Sequence, residues 1–131
     1  MTLSGALLDL QELTERLRRD CPWDREQTAR TIVPHTVEEA YEVADAALAD
    51  RPEKLLDELG DLLFQVYFLA LLLEEQGHGD LEQAARGIHE KLVRLLDRVR
   101  HDRPRRLLPV PGAVPPQALG QLLEIEERAR E

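Results

Sequence analysis

Asparagine is absent from this chain of 131 residues, and cysteine, serine, tryptophan and methionine occur once each. With Cys21 as the lone cysteine, an intrachain disulfide and a cysteine-rich zinc site are both excluded. Ser4 is the lone serine and lies near an end that should fray, which argues against a serine nucleophile activated by a histidine. Aromatic residues make up only 4% of the chain while leucine and alanine abound, a balance that favours helix packed on helix over a sheet. No alternating strand pattern occurs, so the expected fold class is all-α. Long apolar runs are missing too. The longest, LLFQVYFLALLL at 62–73, is too short to span a bilayer and carries Gln65 inside it. The opening MTLSGALLDLQELTER has neither the basic start nor the apolar stretch of a secretion signal, so a cytoplasmic protein with no membrane partner is expected.

What is present suits a single domain, since 131 residues can bury one core and an apolar fraction of 43% argues against disorder. The net charge of −9 makes nucleic acid an improbable partner, because phosphate binding needs a basic face. Its distribution says more. Residues 36–61 hold nine acids against Arg51 and Lys54, whereas residues 86–106 hold eight bases against three acids. Acid and base are therefore segregated along the chain.

Leu7, Leu10, Leu13 and Leu17 predict a first helix from an N-cap at Ser4 to about Arg19. CPWDREQT at 21–28 breaks that pattern and presents Trp23. A second helix is expected from Thr36, where T-V-E-E reads as a capping box, to about Ala49. Pro52 suits the first position of a third helix ending near Gln76 before Gly77, and Asp80 with Gln83 opens a fourth. The third is apolar on nearly every face from Leu62 to Leu73, which calls for burial on all sides. A small helical domain cannot surround such a helix alone, so the expected architecture is a four-helix-type bundle, residues 1–102, that completes its core by dimerisation. Beyond it, 103–131 reads as a proline-rich connector and a short helix at about 117–130.

The chemistry concentrates on the second and third helices. Glu38, Glu39 and Glu42 fall within about one turn, and Glu58 and Asp61 lie one turn apart, although like charges so placed repel. If the two helices form an antiparallel hairpin, these carboxylates share one small volume, and an all-oxygen set suits Mg²⁺ or Mn²⁺ better than zinc. The bland alternative for each acid is a solvated surface group, and for Glu39 the capping partner of Thr36. Position favours the site, because Glu58 and Asp61 interrupt the apolar pattern just before its greasiest stretch. Lys91, Arg94 and Arg98 form a basic stripe on the fourth helix, suited to phosphate oxygens or simply to solvent. Trp23 is suited either to stacking on a base or to a hinge in the fold.

CPWDREQT, PHTVEEAYEVADA and DELGDLLFQVYF, in that order, resemble the MazG family of nucleoside triphosphate pyrophosphohydrolases, whose signature is E-E-x-x-E followed by E-x-x-D. The resemblance runs from about Leu17 to about Arg94. It implies an all-α fold assembling as a homodimer or a dimer of dimers, Mg²⁺ dependence, and hydrolysis of an NTP or dNTP at the α-phosphate. By the same resemblance Glu39, Glu42, Glu58 and Asp61 would be metal ligands, Glu38 would orient or deprotonate water, and Lys91 and Arg94 would face the phosphates. The chain departs from the family where R-R-H-P-H-V-F often follows, reading RLLDRVRHDRP instead. The competing expectation is a catalytically silent helical dimerisation or regulatory module that binds nucleotide without hydrolysis.

Overall fold

A computed structural model describes residues 1–101, and among these there are five α-helices and no strand. Helix α1, Leu3–Asp20, is capped by Thr2, whose side chain accepts from the Gly5 amide at 3.1 Å. Ser4, the cap expected from sequence, instead sits inside the first turn. The helix ends because Cys21 precedes Pro22 and takes extended φ/ψ, and Pro22 then serves as first residue of the short helix α2, Pro22–Glu26.

Helix α3, Ala29–Leu48, starts well before the predicted Thr36. The capping box is Thr28 with Thr31: the Thr31 amide donates to the Thr28 hydroxyl at 3.2 Å, and the Thr28 amide donates to the Thr31 hydroxyl at 2.8 Å. Pro34 lies inside this helix, where its missing N–H removes one ladder bond without ending it. Thr36 is consequently mid-helix, donating to the Gln65 side chain at 2.9 Å rather than capping anything. At the other end the Arg51 amide reaches back to the Ala46 carbonyl and the Asp50 amide to Ala47, with Asp50 at φ 51. This is a Schellman closure with aspartate in the left-handed position usually filled by glycine. It turns the chain directly into α4, Pro52–Glu75, which begins at Pro52 as expected and closes in the same way on Gly77, φ 72. Helix α5, Leu81–His101, is capped by Asp80, whose carboxylate accepts from the Gln83 amide at 2.8 Å.

Helix α4 is the centre, with α1, α3 and α5 each packed on it and α3 most extensively. Ile32 from α3 meets Phe68 and Leu72 from α4, all nearly sealed from solvent, with Phe64 and Leu69 packed beside them. Tyr67 ties in α1 by donating to the Leu7 carbonyl at 3.1 Å. The strongest polar tie is Arg18. It clamps Glu75 through Nε and Nη2, each at 2.9 Å, donates through Nη1 to the carbonyls of Asp24 and Gln27, and lies over the Phe68 ring.

The four long helices do not close a bundle among the described residues. Among the described residues helix α5 packs on α4 alone and buries none of its own residues. Leu56, Leu59, Leu63, Val66 and Leu73 of α4 remain exposed, so the all-round burial called for by its sequence is not achieved by this chain's described residues. The expected connector and final helix of 103–131 lie outside them.

Arg18→Met should destabilise the protein by about 2 to 3 kcal/mol in urea unfolding, since two backbone carbonyls and a carboxylate lose one shared donor. Arg18→Lys should recover little of that, because an ammonium cannot reproduce the planar fork.

Candidate metal centre

The helices α3 and α4 run antiparallel, and their contacts follow a single register. Ile32 faces Phe68 and Leu72, Thr36 bonds Gln65, Glu39 faces Asp61, and Glu42 faces Glu58. Moving along α3 away from the apolar core therefore leads through one buried polar contact into the acids. Gln65, the polar residue inside the apolar run 62–73, is the boundary: it is buried and its carbonyl oxygen is taken up by Thr36.

Glu39, Glu58 and Asp61 each present a carboxylate oxygen, and the three oxygens lie within 4.8 Å of one another. Glu58 is only 2% exposed, Glu39 is half-buried and Asp61 is open to solvent. Two oxygens, Glu39 Oε2 and Glu58 Oε2, are buried without a hydrogen-bond partner among the described residues. A buried carboxylate oxygen left unpartnered is costly, and a hard divalent cation would satisfy both, so the residues present fit such an ion. The capping alternative for Glu39 is removed, because the cap of α3 is Thr28.

The charges respond to this crowding. Burial, then the negative charge of Asp61, Glu42, Glu58 and Glu38, pushes Glu39 above its ordinary 4.5. Glu42 is exposed and lies outside the trio, but it is within hydrogen-bonding reach of Glu58 and is raised from 4.5 chiefly by competing for a proton with it. Glu58 is driven the other way, below 4.5, first by the Lys54 ammonium that bonds its Oε1 and then by Glu42. Lys54, paired with Glu58, is the neighbour of the cluster that the sequence reading did not single out. Its spacing of four from Glu58 was the available signal.

The remaining candidates sit further out. Glu38 is exposed on the flank of α3. Trp23, half exposed on α2, meets His35 edge-to-face with centroids 5.4 Å apart, and His35 is one turn before Glu39 on the same face of α3. Lys91 and Arg94 project from α5; Arg94 is 3.9 Å from Glu90, and neither pairs with an acid of α3 or α4 among the described residues.

Fold and site together define an all-helical protein built around a carboxylate cluster on a two-helix hairpin. The MazG nucleotide pyrophosphohydrolase domain matches residues 27–99, more than half of the chain, and takes in every acid of the cluster. The chain belongs to the MazG family. It is 47% identical over 88 residues to the nucleoside triphosphate pyrophosphohydrolase of Escherichia coli K12, covering 65% of this chain and 34% of that one. It is 37% identical over 107 residues to the nucleoside triphosphate pyrophosphohydrolase/pyrophosphatase MazG of Thermotoga maritima, covering 79% and 42%. The matched stretch is thus well under half the length of either relative.

Because the fold keeps a proton on Glu39 to higher pH than the unfolded chain does, the native state binds more protons in the window just above 4.5. Stability of the metal-free protein should therefore fall as pH rises through that window. Glu58 acts oppositely, stabilising above 4.5 and losing that contribution as pH falls below it. Urea unfolding in EDTA between about pH 5 and about pH 8 should show a shallower loss for Glu39→Gln than for wild type, and a Tm a few degrees higher at neutral pH.

Proposed function

We propose that this chain is a Mg²⁺-dependent nucleoside triphosphate pyrophosphohydrolase that adds water at the α-phosphate of an NTP or dNTP, releasing the monophosphate and pyrophosphate. The observation that carries the reading is the trio of oxygens from Glu39, Glu58 and Asp61 within 4.8 Å, two of the cluster's oxygens being buried and unpartnered. The family and the activities named for the relatives support the reaction class. Glu39, Glu42, Glu58 and Asp61 would hold the ion. When bound, Mg²⁺, or Mn²⁺ in its place, supplies neutralisation of the polyphosphate and activation of water.

The protein's own groups do the rest. Glu38, exposed beside the cluster, orients the attacking water and accepts its proton. Trp23 offers an exposed ring edge-braced by His35 for stacking with the base. Lys91 and Arg94 bear on the phosphates. The setting is the cytoplasm, and the role is clearance of unwanted nucleotides from the pool. No described helix is long and apolar enough to cross a membrane.

The active form is a homodimer or a dimer of dimers. Ile88, Leu92, Leu96 and Val99 form an exposed apolar row on α5, and α4 keeps its own bare leucines and valine. A second copy covering both would complete the burial that one chain leaves unfinished. Sedimentation velocity should give a multimer for wild type and the mass of one chain for Leu92→Glu.

A panel of NTPs and dNTPs with Mg²⁺ should yield pyrophosphate, and Glu42→Gln and Asp61→Asn should each lower kcat by at least about 100-fold with helicity intact, beyond what loss of an outer-shell partner costs. Orthophosphate as the product would overturn attack at the α-phosphate. Tight nucleotide binding without turnover across the panel would instead make the chain a silent binding module.

A further inference from the structure

Helix energetics do not explain where Lys54 sits. It lies in the first turn of α4, where the helix dipole disfavours a cation. It also precedes its glutamate partner by four residues, the weaker orientation for such a pair. The neighbouring acid in that turn, Glu53, would have suited the position better. What Lys54 does gain is Glu58, whose Oε1 it bonds while Oε2 stays buried and unpartnered. Among the described residues no other basic side chain pairs with Glu39, Glu58 or Asp61; Arg51, the next base along, pairs with Asp45 at 3.6 Å. Lys54 is thus the cluster's single direct internal countercharge.

The shape of the side chain adds a second argument. Glu58 is sealed at 2% exposure, but the Lys54 side chain is 45% exposed, so one member of the pair is fixed and the other has an open route to water. A four-carbon stem carrying a compact ammonium can withdraw into solvent while its methylenes stay against the helix. A divalent cation drawing on Glu58 must compete with this ammonium for the same carboxylate.

We infer that Lys54 is an exchangeable placeholder, holding Glu58 while the divalent ion is absent and leaving it when the ion enters, so that this residue sets the metal affinity of the cluster. The inference rests on the metal-binding reading of the cluster proposed above. It gives Lys54 two opposite effects: it stabilises the metal-free fold, and it weakens metal binding. A residue serving structure alone would not tighten metal binding when removed.

The test is Mn²⁺ titration by calorimetry, without nucleotide, of wild type, Lys54→Met, Lys54→Gln, Lys54→Arg and Glu39→Gln, with Tm measured in EDTA for each. Lys54→Met and Lys54→Gln should bind Mn²⁺ about tenfold more tightly than wild type, an effect between those of exposed and desolvated ion pairs, and should melt lower when metal-free. Lys54→Arg, whose fork is harder to displace, should bind no more tightly than wild type. Unchanged or weaker Mn²⁺ binding in both Lys54→Met and Lys54→Gln overturns the inference while leaving the metal site intact. Absence of Mn²⁺ binding in wild type, with Glu39→Gln indistinguishable from it, overturns the site itself and the inference with it.

Discussion

The antiparallel register of α3 on α4 is the constraint on which the rest depends. One alignment brings Ile32 onto Phe68 and Leu72, Thr36 onto Gln65, and Glu39 and Glu42 onto Asp61 and Glu58. The apolar end supplies the burial that fixes the alignment, and the acidic end inherits a crowding it would not adopt alone. Thr36 and Gln65 keep the two regions apart by satisfying each other inside the seam. Slipping the helices by one turn would expose Phe68 and leave the Gln65 carbonyl oxygen without its donor. The hydrophobic effect thus holds the carboxylates together against their own repulsion.

Local signals in the sequence carried much of this. Pro52, Gly77 and Asp80 marked helix boundaries because each acts through its own backbone, and the spacing of Glu39, Glu42, Glu58 and Asp61 marked a shared face because that follows from helical periodicity alone. Failures came where two local signals competed. The T-V-E-E segment argued for a helix beginning at Thr36, but the reciprocal bonds of Thr28 and Thr31 cap it earlier and the helix runs on through Pro34. Beyond the meeting of the two acidic faces, particular long-range contacts were not legible. Nothing near Arg18 announces that it will clamp Glu75, and nothing near Asp50 except its place after α3 announces a left-handed closure without glycine. Lys54 was legible in principle, four residues before Glu58, yet such pairs are usually of little consequence on a helix surface; only the burial of Glu58 distinguishes this one.

The cluster is also a local conflict between stability and chemistry. Replacing its acids with neutral residues would relieve repulsion and end the exposure of the fold to deprotonation of Glu39. The structure moderates the conflict by unequal burial. Glu58 is sealed and held charged by Lys54, while Asp61 and Glu42 stay near water, where their charges are less costly. Glu39 lies between these extremes, and it is the acid on which burial and four neighbouring charges all act in the same direction.

A polyanion such as the proposed substrate would meet the same electrostatics from outside. Acids concentrated on α3 and α4 would repel it; among the described residues the arginine-rich α5 packs against α4 alone, and those of its bases that pair do so with acids of their own helix. Among the described residues these two charge populations therefore stay apart instead of neutralising one another. Lys54 is the exception. It offsets one charge at the centre of the cluster, and a single ammonium leaves two carboxylates of the trio uncompensated. On the proposed reading, that residual charge would favour a divalent cation over further monovalent pairing, because one small ion can approach three oxygens at once where a second lysine could not. On the same reading, charge compensation in the cluster precedes the approach of the polyanion, and the separation of α5 from α3 among the described residues keeps a cationic surface to meet it.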